Sequence, residues 1–222
     1  MHFYWGFNNK FAWLRRRKKL APASSPPGQK ALQTATVLRT LFQDHQNGSA
    51  LLISPVSAGS IWPTVESLGW ALEQINAGPV LVLRLGFHRP EETGVKHNQV
   101  TSHSPDYSLG AGDLALEPLV AKAAGSPNPF VAELALRNGE ALTAISSPKF
   151  ATFLQGLRAK FRFVLLEGGA LEDSAESLLA SQACDGIVLG VRRGATSMRD
   201  VSAAKRLANR ANVQILGFVF EK

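Results

Sequence analysis

One cysteine, two methionines and two tyrosines are all that these 222 residues supply of those types, and each scarcity removes a class of protein. A single thiol, Cys184, rules out an intrachain disulfide framework and suits a reducing compartment. No apolar run reaches the ~18–20 residues needed to cross a bilayer. The N-terminal stretch is not read as a signal peptide, because its charges follow the apolar residues instead of preceding them. Charge is also sparse, at 18% of residues against 45% hydrophobic, which is the composition of a soluble globule and not of a disordered chain. The net charge of +7 looks like a nucleic-acid signal until it is located. Lys10, Arg15, Arg16, Arg17, Lys18 and Lys19 supply almost all of it, and the rest of the chain is close to neutral. With no basic patch continuing into the body, nucleic acid is not the expected partner.

What the sequence does contain divides into two parts. Residues 1–29 interleave aromatics with the basic run and end in the linker APASSPPGQ. Trp5, Trp13, Arg15, Arg16, Arg17, Lys18 and Lys19 are the candidate contacts there. Aromatics followed by cations favour an anionic membrane surface or a membrane protein, with an unstructured tail as the alternative. Residues 30–222 form the second part, where short apolar runs alternate with amphipathic stretches. The runs ALLISPV, VLVLRLGF, FVAELAL, RFVLLEGG, DGIVLGVRRG and VQILGFVF predict strands. The segments ALQTATVLRTLFQDH, TVESLGWALEQINA, KFATFLQGLRAKF, SAESLLASQ and SMRDVSAAKRLANRAN predict helices. Residues 88–110 are expected to form a long polar loop. This alternation predicts an α/β fold: a doubly wound, mostly parallel sheet with helices on both faces.

Ligands of such folds sit at the carboxyl ends of the strands, and three of these ends are informative. The first is ISPVSAGSIWPTVESLGWAL, the second PVLVLRLGFHRP and the third FRFVLLEGGALED. With the long segments AISSPKFATFLQGLRAKF and DGIVLGVRRGATSMRDVSAAKRLANRANVQILGFVF, they make residues 31–222 resemble the cytoplasmic ATPase domain of bacterial tyrosine kinases of the capsular and exopolysaccharide family. That family lies within the partition and septum-site group of P-loop ATPases.

The resemblance implies a P-loop at Ser57, Ala58, Gly59, Ser60, Ile61, Trp62 and Thr64. Such a loop needs glycines so that backbone N–H groups can cradle phosphates, a lysine for the β/γ charge, and a hydroxyl for Mg²⁺. Here Ser60 stands for the last glycine, Ile61 for the lysine and Trp62 for the metal-binding hydroxyl residue, with Pro63 next and Thr64 the nearest hydroxyl. At the second end, Arg84 and Gly86 stand where relatives carry Asp-x-Asp for Mg²⁺ and the attacking group. At the third, Glu167 keeps an acid where relatives have aspartate, and at the end of the last run Glu221 replaces an adenine-holding asparagine. The resemblance therefore implies the fold of a P-loop NTPase without its chemistry: no catalytic residues, no metal site, and neither ATP nor Mg²⁺ as cofactor. The ring-forming Glu-x-x-Arg-x-x-Arg pattern is represented only by Gln33, Thr36 and Arg39, so homo-oligomerisation stays open. The sequence's tyrosines, Tyr4 and Tyr107, do not form the tyrosine cluster that relatives phosphorylate.

The expected function is a non-catalytic accessory in bacterial exopolysaccharide or capsule synthesis and export. It would be cytoplasmic, at the inner face of the inner membrane, docked to a membrane polysaccharide co-polymerase or chain-length protein. Two alternatives stand beside it: an active ATPase or protein tyrosine kinase with an unusual site at Glu167, and a positioning adaptor of the partition or septum type. Among the remaining polar residues, His88, His97, His103 and Asp106 lack metal-ligand spacing and are read as loop residues. Glu92 and Glu117 are read as surface charges, Cys184 as packing, and Asp185 and Arg192 as structural.

Overall fold

The computed structural model describes residues 29–42, 47–57, 60–75, 77–85, 115–120, 129–135 and 141–221. The chain begins there with helix α1 (Gln29–Leu41), β1 (Gly48–Ile53) and α2 (Trp62–Gln74), followed by β2 (Val80–Leu85), β3 (Ala115–Val120) and β4 (Phe130–Ala135). It continues through α3 (Ala141–Ser146), α4 (Pro148–Arg158), β5 (Phe163–Glu167), α5 (Ala175–Ala183), β6 (Gly186–Arg192), α6 (Met198–Arg210) and β7 (Ile215–Glu221). Seven strands form one sheet in the order β3-β4-β2-β5-β1-β6-β7, parallel throughout except for β3 against β4. The expected doubly wound, mostly parallel architecture is present.

Its centre is dry because β1, β2 and β5 are near-continuous aliphatic runs, as strands covered on both faces must be. One layer packs Leu38, Val65, Leu68 and Leu72 of α1 and α2 against Leu52, Val80, Val82 and Leu165. On the other face, Phe150, Phe153, Leu154 and Ala204 of α4 and α6 cover Leu51, Leu83, Leu166 and Leu189. Gly69 is what lets α2 lie close on β2, since a Cβ there would meet Val82 Cγ2 at 2.4 Å. The last helix, α6, starts on a reciprocal cap. Ser197 Oγ accepts the Asp200 N–H, and the Asp200 carboxylate accepts the Ser197 N–H at 2.7 Å.

Two elements escaped the sequence pattern. β3 contains Pro118, which has no N–H to donate, and it is the antiparallel strand at the sheet edge where proline is tolerated. Glu117, read from the sequence as a surface charge, belongs to this strand, where its Cα pairs with Glu133. α3 is only six residues long, too short to show a helical period. The whole of the expected loop 88–110 and all of residues 1–28 lie outside the described residues.

Candidate functional site at the α2 N-terminus

β1 delivers the chain at the centre of the sheet to Ser60 and Ile61, from which α2 starts. Ile61 is 3% exposed and points into the protein against β6, where Gly190 leaves room for it. A Cβ at Gly190 would lie 2.1 Å from Ile61 Cδ1. Ile61 is thus a core residue in a fitted slot, and it does not reach toward solvent.

Three amides at the start of α2 already have acceptors. The Trp62 N–H donates to Ser60 Oγ at 3.1 Å, and Pro63 has none. Thr64 and Val65 donate to the Ile61 carbonyl at 3.0 and 3.2 Å. A helix start attracts anions through donors that lack internal partners, and these have them.

Two ion pairs flank this turn. On one side Glu167, 8% exposed, ends β5 beside Arg84 of β2. Its Oε1 accepts the Ser60 hydroxyl at 2.7 Å and its Oε2 accepts Arg84 Nε at 2.9 Å. The Arg84 guanidinium also stacks on Trp62, 4.2 Å from the ring centroid. Glu66, one turn into α2, joins the cluster: burial raises its pKa, the Trp62 hydrogen bond and the Arg84 charge oppose that, and Glu167 adds to it. On the other side, Arg192 of β6 donates to Glu221 of β7 from Nη2 at 2.9 Å and from Nε at 3.1 Å. Its Nη2 also reaches the Ser60 carbonyl at 3.2 Å, and the Thr64 hydroxyl donates to the other Glu221 oxygen. Ser60 therefore belongs to both clusters, through its hydroxyl and through its carbonyl.

Chemically, this arrangement binds itself. Both oxygens of Glu167 are occupied by donors, and the nearest charge to it is a cation, the reverse of what a metal-binding carboxylate needs. Among the described residues no group of three or more His, Cys, Asp or Glu is placed to hold a metal.

The structure brings Ser60, Ile61, Trp62, Thr64 and Glu167 together at the turn. Ser57 stands apart, donating to Asp173 at 2.6 Å, while Ala58 and Gly59 lie outside the described residues. Trp5, Trp13 and Arg15 through Lys19 also lie outside them, as do Gly86 and the three loop histidines. Arg192, read from the sequence as structural, is paired with Glu221, and this pair lies beside the turn. The signal that was missed is positional: Arg84 and Glu167 are register partners, but their strands neighbour each other only through topology. Asp185 does serve structure, accepting from Ser49 N–H and hydroxyl and from Arg158. Cys184 is partly buried, and burial, with the Asp185 charge, pushes its thiol up to about 12, so it stays protonated at neutral pH. A separate groove of about 270 Å³, lined by Pro55, Val56, Glu172, Asp200, Leu207 and Arg210 among others, includes none of the predicted site residues.

No protein-family model matches the sequence, and no curated protein does either. Solved structures match the fold. The kinase domain of Escherichia coli tyrosine kinase ETK superposes with TM-score 0.63 at 14% identity, covering 95% of this chain and 86% of that one. The VpsO kinase domain gives 0.60 at 16% identity, covering 87% and 96%. A ParA family ATPase from Chlorobium tepidum gives 0.51 at 13% identity, covering 79% and 74%. This chain has the fold of bacterial tyrosine kinase domains. No helix among the described residues is long and apolar enough to cross a membrane.

Proposed function

We propose that this chain is a non-catalytic relative of the bacterial tyrosine kinases of exopolysaccharide and capsule synthesis, using their fold as a docking body. The supporting observation is Glu167 held by Ser60 and Arg84 beneath a helix start whose amides are already bonded. A nucleotide phosphate at this turn would have to displace those bonds, with Ile61 supplying no charge in return. The higher TM-scores of the kinase domains favour this relationship over a partition-type adaptor.

The docking partner on this reading is a membrane polysaccharide co-polymerase or chain-length protein. The place is the cytoplasmic face of the inner membrane, with the cations Arg15–Lys19 and the nearby tryptophans meeting the anionic leaflet. Calorimetric titration with ATP and Mg²⁺ tests the central point: no heat of binding is expected at millimolar nucleotide. A micromolar dissociation constant, or turnover lost in Glu167→Gln, would restore the enzyme reading.

A further inference from the structure

β7 is the last strand of the sheet, and among the described residues nothing pairs with its outer edge. In a parallel ladder the N–H and C=O of one residue point to the same side, and successive residues alternate. Glu221 C=O accepts from Arg193 N–H and so faces β6. The backbone groups of Phe218 and Phe220 consequently face outward. Their side chains are exposed as well, 37% and 63%, while Val219 between them is buried. Lys205 Nζ lies 5.8 Å from the Phe218 ring, which puts both aromatics on the α6 side of the sheet. Met198, at the start of α6, is 79% exposed.

Native sheets usually blunt such an edge with a proline, a bulge or inward charges. The register of β7 shifts near its start, between Ile215 and Gly217, but beyond that point the outward backbone positions are phenylalanines, and the nearby charges are the exposed cations Lys205 and Arg193. The strand's own acid, Glu221, is already paired with Arg192. A second copy pairing antiparallel across Phe218 would bring Lys205 face to face with its own equivalent, which opposes self-association.

We infer that the β7 edge is a docking site for an extended segment of a partner protein. That segment adds as an eighth strand, lays alternate apolar side chains on Phe218 and Phe220, and places an acid opposite Lys205. Backbone pairing would give affinity, and the acid would give register and choice of partner. This inference rests on the edge and its charges and holds whether or not the α2 site binds nucleotide.

The test uses the full chain and a fluorescein-labelled peptide, Thr-Phe-Thr-Glu-Thr-Phe-Thr-Ile, with a second peptide carrying Lys for Glu. Saturable binding of the acidic peptide is expected, weakened about tenfold by Phe220→Ser, as for loss of one apolar anchor. Lys205→Glu should invert the preference between the two peptides. Residue-resolved hydrogen exchange should show the Phe218 and Phe220 amides open in the free chain and protected in the complex. No binding at millimolar peptide, or equal binding of both peptides to the wild-type chain, overturns the proposal. Protection of both amides in a free monomer would mean that another part of this chain fills the edge, and protection accompanied by a doubled mass would mean that a second copy does. Either result refutes it.

Discussion

At Glu167 the sequence offers an acid one methylene longer than aspartate, and the contacts in the fold decide what that charge does. Ser60 and Arg84 take its two oxygens. Glu167→Gln should therefore act as a stability mutation, costing about 1–2 kcal/mol. It breaks a charge-assisted bond, but Arg84 is a third exposed and water screens part of the loss. Urea denaturation measures it, and a change of under a few tenths would mean that the pair is not formed in solution. Ile61 and Gly190 make a second residue-scale case. Gly190→Ala should destabilise by about 1–3 kcal/mol, since the added methyl overlaps Ile61 Cδ1. In an Ile61→Ala background that penalty should largely vanish, so a double-mutant cycle reads the contact directly. Residues 60, 61, 62 and 84 stood out in the sequence. That they bond to one another was not, because Ser60 and Glu167 stand 107 residues apart.

Helices and strands carry the next set of consequences. Glu66, in the second turn of α2, is penalised as a carboxylate by burial, so its folded pKa is raised. A raised carboxylate pKa means that the folded state holds the proton more tightly. Its contribution to stability is full below the unfolded value, near 4.5, and is lost as pH rises through the folded value. Glu66→Gln should accordingly match the wild type in acid and become more stable than it toward neutral pH. Denaturation curves of the two proteins that stay parallel across that range would contradict the assignment. Asp200 works in the opposite direction: its cap bonds with Ser197 lower the pKa, so acidification through that lowered value loosens the start of α6. Replacing Ser197 by alanine should cost about 1 kcal/mol in a thermal or urea melt, the usual loss for such a cap. The six strands found from the sequence are those whose apolar runs end in glycine, proline or charge. β3 carries a proline and alternates poorly, and α3 is too brief for its period to register, so neither was legible.

For the whole molecule, the concentration of cations and aromatics in residues 1–19 of the sequence organises the expectations about location. Each cation is worth about 1 kcal/mol near an anionic leaflet, and salt screens the gain. The 222-residue chain should co-sediment with anionic vesicles at low salt and release at high salt. An Arg15/Arg16/Arg17→Ser variant should bind distinctly less, and equal sedimentation of the two would remove the membrane from the proposal. The sheet's strand order also gives the α2 turn a place in time. Ser60–Glu167, Arg84–Glu167 and Thr64–Glu221 close loops of 107, 83 and 157 residues, and the longest joins the second helix to the last strand. Contacts of such sequence separation incur their loop entropy before they return anything, so they form late on the way to the native state. Trp62 sits between these closures, stacked on Arg84. With Trp5, Trp13 and Trp70 replaced by phenylalanine, its emission during refolding should report the final kinetic phase, after the bulk of the helical signal has been recovered, and the turn should stay open until β7 has docked.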